Sequence, residues 1–313
     1  MAQATPVPLS PGPAAKRLRT RATYASVAVA AVLIAIKFVA WLNTGSVALL
    51  SSLVDSLLDM AASVLNLFAV RQATVPADRE HRFGHGKAEP LAALAQSAFI
   101  SGGALLLLAE AVRRLIWPIA VQNPPAGMAA IAISLALQVG LVLYQRRVVR
   151  RTGSLAIGAD ELHYRGDILL SGSVLLALAL DSIVDMPLID PLFGAGIGAW
   201  IIYSAARVAG LSLRQLMDRE LPDDERAKIR RIVEEHPEVA AVHDLRTRAA
   251  GPSAFIQLHL EMDGSMSLAH AHQVSDAVEA RVRAAYPNAE VIIHQDPAGI
   301  VEPRQVFPAA ERA

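Results

Sequence analysis

Hydrophobic positions fill the first two-thirds of the chain in long blocks, and polar positions regain the majority only after Leu216. Four blocks are nearly continuous, at residues 22–41, 47–70, 91–109 and 128–144. Each approaches the roughly 20 residues that a helix needs to cross about 30 Å of hydrocarbon. Residues 191–209 form a fifth, with Arg207 near enough to its end to reach outward. The apolar run 168–180 is too short to span, so a crossing helix has to extend back to about Ala156. That draws Asp160, Glu161, His163, Arg165 and Asp167 into or against the membrane; the alternative is a re-entrant or interfacial segment. Six spans are expected.

Past Leu216 the pattern changes period. Residues 223–236 have helical periodicity, opened by Pro222-Asp223-Asp224 as a start signal. Residues 239–248 and 254–261 read as strands joined at Gly251-Pro252, and in the second Ile256, Leu258 and Leu260 share one face. Phe255, Gln257, His259 and Glu261 share the other. A helix at 267–285 and a strand at 290–295 complete an αββαβ order, which predicts a small ferredoxin-like α+β domain. The expected fold is therefore a membrane all-α six-helix bundle followed by a cytoplasmic α+β domain. The expected divisions are a disordered basic tail at 1–21, the membrane domain at 22–216, the cytoplasmic domain at 217–300 and a loose tail at 301–313. The Ala- and Pro-rich head lacks the apolar core of a signal peptide, and Lys16-Arg17-Leu18-Arg19 follows it directly.

Composition sharpens this picture. The chain is 53% hydrophobic with only 5% aromatic residues, and its zero net charge predicts no nucleic-acid partner. There is no cysteine, so disulfides and thiolate metal sites are excluded. A transition-metal site must then use His, Asp and Glu, which suit zinc, ferrous iron and manganese better than cuprous copper. Lys and Arg cluster before the first span (Lys16, Arg17, Arg19, Arg21), after the second (Arg71, Arg79, Arg82, Lys87) and after the fourth (Arg146, Arg147, Arg150, Arg151). The loops around 43–46 and 181–190 carry neither, and only Arg113 and Arg114 dissent. Both termini of a multi-pass membrane protein are expected in the cytoplasm, and the inner membrane is the expected location, as the family resemblance below implies.

Asp55 and Asp59 lie near the middle of the second span, four residues apart and so on one helical face. One carboxylate at that depth costs about 2.5–3.5 kcal/mol on the gentlest scale, so something cationic has to compensate. His163 and Asp167 repeat the spacing in the fifth span. At about 1.5 Å per residue, Asp59 and Asp167 each lie about 17 Å from the cytoplasmic end of their helix. Three carboxylates and one imidazole at one level form a tetrahedral set suited to zinc, with ferrous iron or cadmium as alternatives. The competing reading is that these groups satisfy Arg165, Lys37 or polar neighbours as buried ion pairs. In the loop that follows, Asp78, His81 and His85 are spaced to wrap one ion, or to form no more than a solvated basic loop. The soluble part holds His243, His259, His272, His294 and Asp296, a third candidate metal set; His236 and His270 are expected to be surface residues.

Together the stretches SSLVDSLLD, HRFGHGKAEPLAAL, ADELHYRGD, LMDRELPDDER, HDLRTRAAGPSAFIQLHLEM and VIIHQDP resemble the cation diffusion facilitator family, most closely its bacterial ferrous-iron and zinc efflux branch. The resemblance implies a homodimer in the lipid bilayer that exchanges cytoplasmic divalent metal for external protons. It implies a transport site at Asp55, Asp59, His163 and Asp167, a loop site at Asp78, His81 and His85, and a binuclear site at His243, His259, His272, His294 and Asp296, with Asp296 bridging. It further implies an apolar gate at Leu162 and a charge interlock of Lys87 with Asp218 near the dimer interface. The sequence departs from the family pattern at Arg79 and Arg82, which make the loop more cationic. The expected function is proton-coupled export of zinc, ferrous iron or cadmium, the alternative a membrane-anchored metal sensor. A metallohydrolase is not expected, since no HExxH motif occurs.

Overall fold

A computed structural model describes residues 13–44, 47–117, 125–181 and 189–300. The expected head up to residue 12, the tail from 301 and the loop at 182–188 lie outside the described residues. The chain divides into two compact units, Met1–Met217 and Asp218–Ala313.

The first unit contains α1 (Pro13–Thr44), α2 (Val47–Ala73), α3 (Ala88–Ile116), α4 (Pro125–Thr152), α5 (Leu155–Asp181) and α6 (Ile189–Leu216). Five of these, α1, α2, α3, α4 and α6, are long and apolar enough to cross a membrane over their described residues. Large apolar side chains such as Leu57, Phe68, Leu106, Leu143 and Tyr203 point outward, as expected where the surroundings are lipid rather than water. Over the described residues α5, which carries Asp160, Glu161, His163, Arg165 and Asp167, is instead the most enclosed. Leu162 packs with Ile100, Ala104, Ile201 and Ala205 of α3 and α6, while Tyr164 packs with Leu141 and Val142 of α4. Charged groups are expensive in hydrocarbon, so the helix that carries them is surrounded by protein. α3 and α6 approach closely at Gly198, where a Cβ would come within 2.9 Å of the Leu108 side chain.

One expectation needs correcting. The basic segment assigned to a disordered tail is helical from Pro13 onward. Proline suits a first helical position, where its missing N–H is not needed. The basic residues are then used: Arg19, 2% exposed, donates to Glu89 at 3.0 Å, and Lys16 donates to the Thr74 carbonyl at 2.8 Å.

The second unit contains α7 (Asp223–Glu234), β1 (Ala241–Ala250), β2 (Ser253–Met262), α8 (Leu268–Ala285) and β3 (Ala289–Pro297). The sheet order is β1-β2-β3, with β1 antiparallel and β3 parallel to the central β2. Ala254, Ile256, Leu258 and Leu260 are buried with Ile229 and Val233 of α7 and Val274, Val278 and Val282 of α8. Ser267 caps α8 by accepting the backbone N–H of His270. The register of β1 shifts between His243 and Arg246, and Asp244 within that bulge has φ 46°. Asp tolerates this left-handed conformation better than most side chains.

Candidate functional site

The first cluster forms where α2 meets α5. His163 Nε2 lies 2.7 Å from Asp59 Oδ1 and 3.8 Å from Asp167 Oδ2. One ligand atom from each of the three residues lies within 4.8 Å of the others. Asp167 Oδ2 is buried with no hydrogen-bond partner, an acceptor left for a cation. Asp55 is not part of this cluster. It is exposed one turn earlier on α2, so the structure brings together three of the four expected residues. The ion-pair alternative fails for Arg165, which faces elsewhere: it pairs with Glu161 at 3.6 Å and stacks over the Trp200 ring. Lys37 spans α1 and α2, donating to Ser56 Oγ at 2.7 Å and the Ser52 carbonyl at 3.2 Å, and its charge acts on Asp59, Asp167 and Asp55.

The second cluster is a loop. Asp78 lies 3.4 Å from His81 Nδ1 and 3.4 Å from His85 Nε2, with the two rings 4.5 Å apart. Asp78 Oδ1 also accepts the backbone N–H groups of His81 at 2.6 Å and Glu80 at 3.0 Å. The His81 N–H holds that carboxyl below the usual range. Gly84, at φ 75°, supplies the left-handed turn that returns His85 towards Asp78. His85 Nδ1 is buried and has no partner.

The third cluster lies on the face of the sheet opposite α7 and α8. Register alone aligns His243 with His259 and His259 with His294, and sets Glu261 beside Asp296 in the next row. Asp296, 7% exposed, holds the set together. Its Oδ2 is 2.8 Å from His259 Nδ1 and 3.2 Å from His243 Nε2, and its Oδ1 is 3.1 Å from His294 Nε2. His243 Nδ1 is buried without a hydrogen-bond partner. The donor set of imidazoles around one carboxylate fits a zinc-like ion. His272 departs from expectation. It projects from α8, which packs on the other face, and pairs with Asp276 at 3.6 Å. Within one chain the sheet separates it from the other three histidines.

Glu261, with Oε1 3.3 Å from His243 Nε2, joins this face although the expected metal set omits it; the two-residue alternation from His259 is the legible signal for it. The bulge at Asp244 had no such signal. His270 lies apart from the cluster and pairs with Glu238 at 2.5 Å, which raises its pKa through that hydrogen bond. Because the folded value is raised, the pair stabilises fully below the unfolded value of about 6.5 and fades as the pH climbs through the folded one. In a proton NMR titration His270 should therefore titrate above an ordinary histidine, and Glu238→Gln should return it to that range.

The remaining expected residues are also located. Leu162 is buried among α3 and α6 side chains. Lys87 donates to the Leu216 carbonyl at 3.3 Å, and Asp218, at φ 54°, lies 3.3 Å from Arg248 Nη1.

Comparison with known proteins gives the same division of the chain. The model of the cation efflux transmembrane domain matches residues 23–217, and that of the cation efflux protein cytoplasmic domain matches residues 221–298. The chain is 50% identical over 289 residues to the cation-efflux pump FieF of Escherichia fergusonii, covering 92% of this chain and 96% of that one. It is 49% identical over 285 residues to the FieF of Serratia proteamaculans, covering 91% and 95%. A solved structure, the metal-bound C-terminal domain of the CzcD transporter from Thermotoga maritima, is 32% identical, covers 25% of this chain and 93% of that one, and has a TM-score of 0.24. With a helical membrane domain and an α+β domain each matched by its own family model, this chain belongs to the cation efflux, or cation diffusion facilitator, family, whose members are transporters rather than enzymes.

Proposed function

We propose that this protein exports a divalent metal cation, zinc or a chemically similar ion such as ferrous iron or cadmium, from the cytoplasm in exchange for protons. The observation that carries the reading is the Asp59–His163–Asp167 cluster between α2 and α5. Carboxylates and an imidazole inside a helical bundle have little use in a membrane-anchored sensor, which needs only its soluble domain to bind. In this reading six helices span the inner membrane, both termini are cytoplasmic, and two protomers form the working unit.

The steps follow from the ligands. Metal entering from the cytoplasm replaces protons on the cluster, because its ligands bind in their deprotonated forms. Asp55, one turn along α2, completes the set when that helix rotates or the ion draws it inward. Leu162, packed against α3 and α6, closes the site from one side. Rocking one group of helices against another then exposes the cluster to the outside, where protons reload it and the ion leaves. The Asp78, His81 and His85 loop and the His243, His259, His294 and Asp296 face act as accessory sites, with His272 contributed by the second protomer. Lys87 and Asp218 serve as the interlock near the dimer interface.

Purified protein in proteoliposomes, with a pH-sensitive dye in the lumen, tests this directly. Zinc should enter an acidic lumen while the luminal pH rises. Zinc entry without a dye response would remove the proton coupling, and no entry at all would favour the sensor.

A further inference from the structure

One turn from His163 on the cytoplasmic side, α5 carries a carboxylate that the transport reading does not use. Asp160 is 2% exposed. Its Oδ2 accepts the Ser26 hydroxyl of α1 at 2.6 Å and the Gln145 amide of α4 at 2.6 Å, and its Oδ1 accepts the Gln96 amide of α3 at 3.3 Å. Gln145 also donates to Ser26 Oγ at 2.8 Å. On the far side of Gln96, Asn66 of α2 donates to Gln96 Oε1 at 2.7 Å and to the Ala156 carbonyl of α5 at 3.1 Å. Side chains from five helices thus meet on the turn of α5 immediately before His163.

The donors to Asp160 are all neutral, which separates this group from Glu89, whose buried carboxylate is matched by Arg19. Burying a carboxylate among neutral donors is a costly way to join helices, since apolar side chains of the same size pack there without desolvation. What such a network adds is a single geometry, because every member loses a partner if a helix turns or slides. Asp160 and His163, three residues apart, lie on one face of α5 about 4.5 Å apart along the axis. Fixing one fixes the other. Asn66 extends the grip to α2, the helix that supplies Asp59.

We propose that Asp160 is a positioning residue for the transport site: held by Ser26, Gln96 and Gln145, it sets the rotation and depth at which α5 presents His163 and Asp167 to a divalent cation beside Asp59. The proposal rests on the reading that Asp59, His163 and Asp167 hold the transported ion. Groups that orient metal ligands from behind are typically worth about 10–100-fold in affinity or activity.

The test uses full-length protein carrying Asp78→Ala and Asp296→Ala, so that the transport site is the one observed. Zinc KM and kcat are measured in proteoliposomes. The visible absorption of bound cobalt(II), which reports coordination geometry, is measured in detergent. Asp160→Leu removes the acceptor and should raise zinc KM about 10-fold or more and alter the cobalt spectrum. Asp160→Asn keeps an acceptor, and Gln145, whose Oε1 has no partner, can turn its amide to meet the new donor. Its KM and spectrum should stay near wild type. If the Asn variant is as impaired as the Leu variant, charge rather than grip is what matters, and the proposal is overturned. A Leu variant with lower melting temperature but unchanged KM and spectrum also overturns it, leaving a purely structural role. Should Asp160→Leu not fold, Gln145→Leu with Gln96→Leu removes two of the three donors and must raise KM; an unchanged KM there overturns the proposal equally. Wild-type cobalt binding by His163→Ala in this background would instead refute the ligand assignment itself, independently of Asp160.

Discussion

Alanine at Asp59, His163 or Asp167 should reduce zinc flux in proteoliposomes to below about a hundredth of wild type, since even the groups behind metal ligands are worth about 10–100-fold. The three side chains converge from two helices, and one of them, Asp167, keeps a buried oxygen without a partner. Removing one ligand leaves two donors that cannot replace the hydration shell of a divalent ion. It also removes a proton-binding group, so metal-driven proton movement should vanish with the flux. The variants should still insert and dimerise, because none of the three supports the main helix contacts described above. Asp55→Ala distinguishes two pictures. If α2 carries Asp55 inward when metal binds, this variant fails as completely as the others; wild-type flux would show that the three-residue cluster is the whole site.

Metal should also stabilise the soluble unit by a large margin. An isolated segment covering residues 218–300 has its own core, from Ile229 and Val233 through Ile256, Leu258 and Leu260 to Val278 and Val282. Zinc at about 100 times its dissociation constant adds about 2.7 kcal/mol if it binds only the folded form. For a domain of this size that corresponds to a rise of very roughly 10–20 °C in melting temperature. Asp296→Ala should remove most of the gain, because that carboxylate touches all three histidines of the face. His272→Ala discriminates further. Because His272 is proposed to act from a second protomer, this variant should weaken metal-dependent dimerisation while a monomeric segment still responds to zinc. An unaltered zinc response in Asp296→Ala would move the site elsewhere.

Whatever depends on local periodicity was legible along the chain. Apolar run lengths marked the five helices that are long and apolar enough to cross a membrane, and alternation in β2 separated Ile256, Leu258 and Leu260 from His259 and Glu261. Spacing of four residues put His163 and Asp167 on one face, since that geometry belongs to a single helix. Long-range packing sets what depends on which elements meet. It turned the basic residues before Ala22 into the start of α1, because Arg19 finds Glu89 seventy residues away. It left Asp55 outside the cluster, since α5 meets α2 at Asp59 and Asp55 lies one turn, about 6 Å, farther along the helix. It separated His272 from the other histidines by a sheet. At β1 the single extra residue of the Asp244 bulge reverses the alternation, so that His243 shares a face with His259 while Leu245, two positions on, is buried on the other side. The polar knot at Asp160 was equally unreadable, because Ser26, Gln96 and Gln145 are ordinary alone and acquire meaning only when three helices bring them to one carboxylate on α5, with Asn66 of α2 tied in through Gln96. Periodicity fixes a side chain relative to its own helix or strand; long-range packing alone fixes it relative to another.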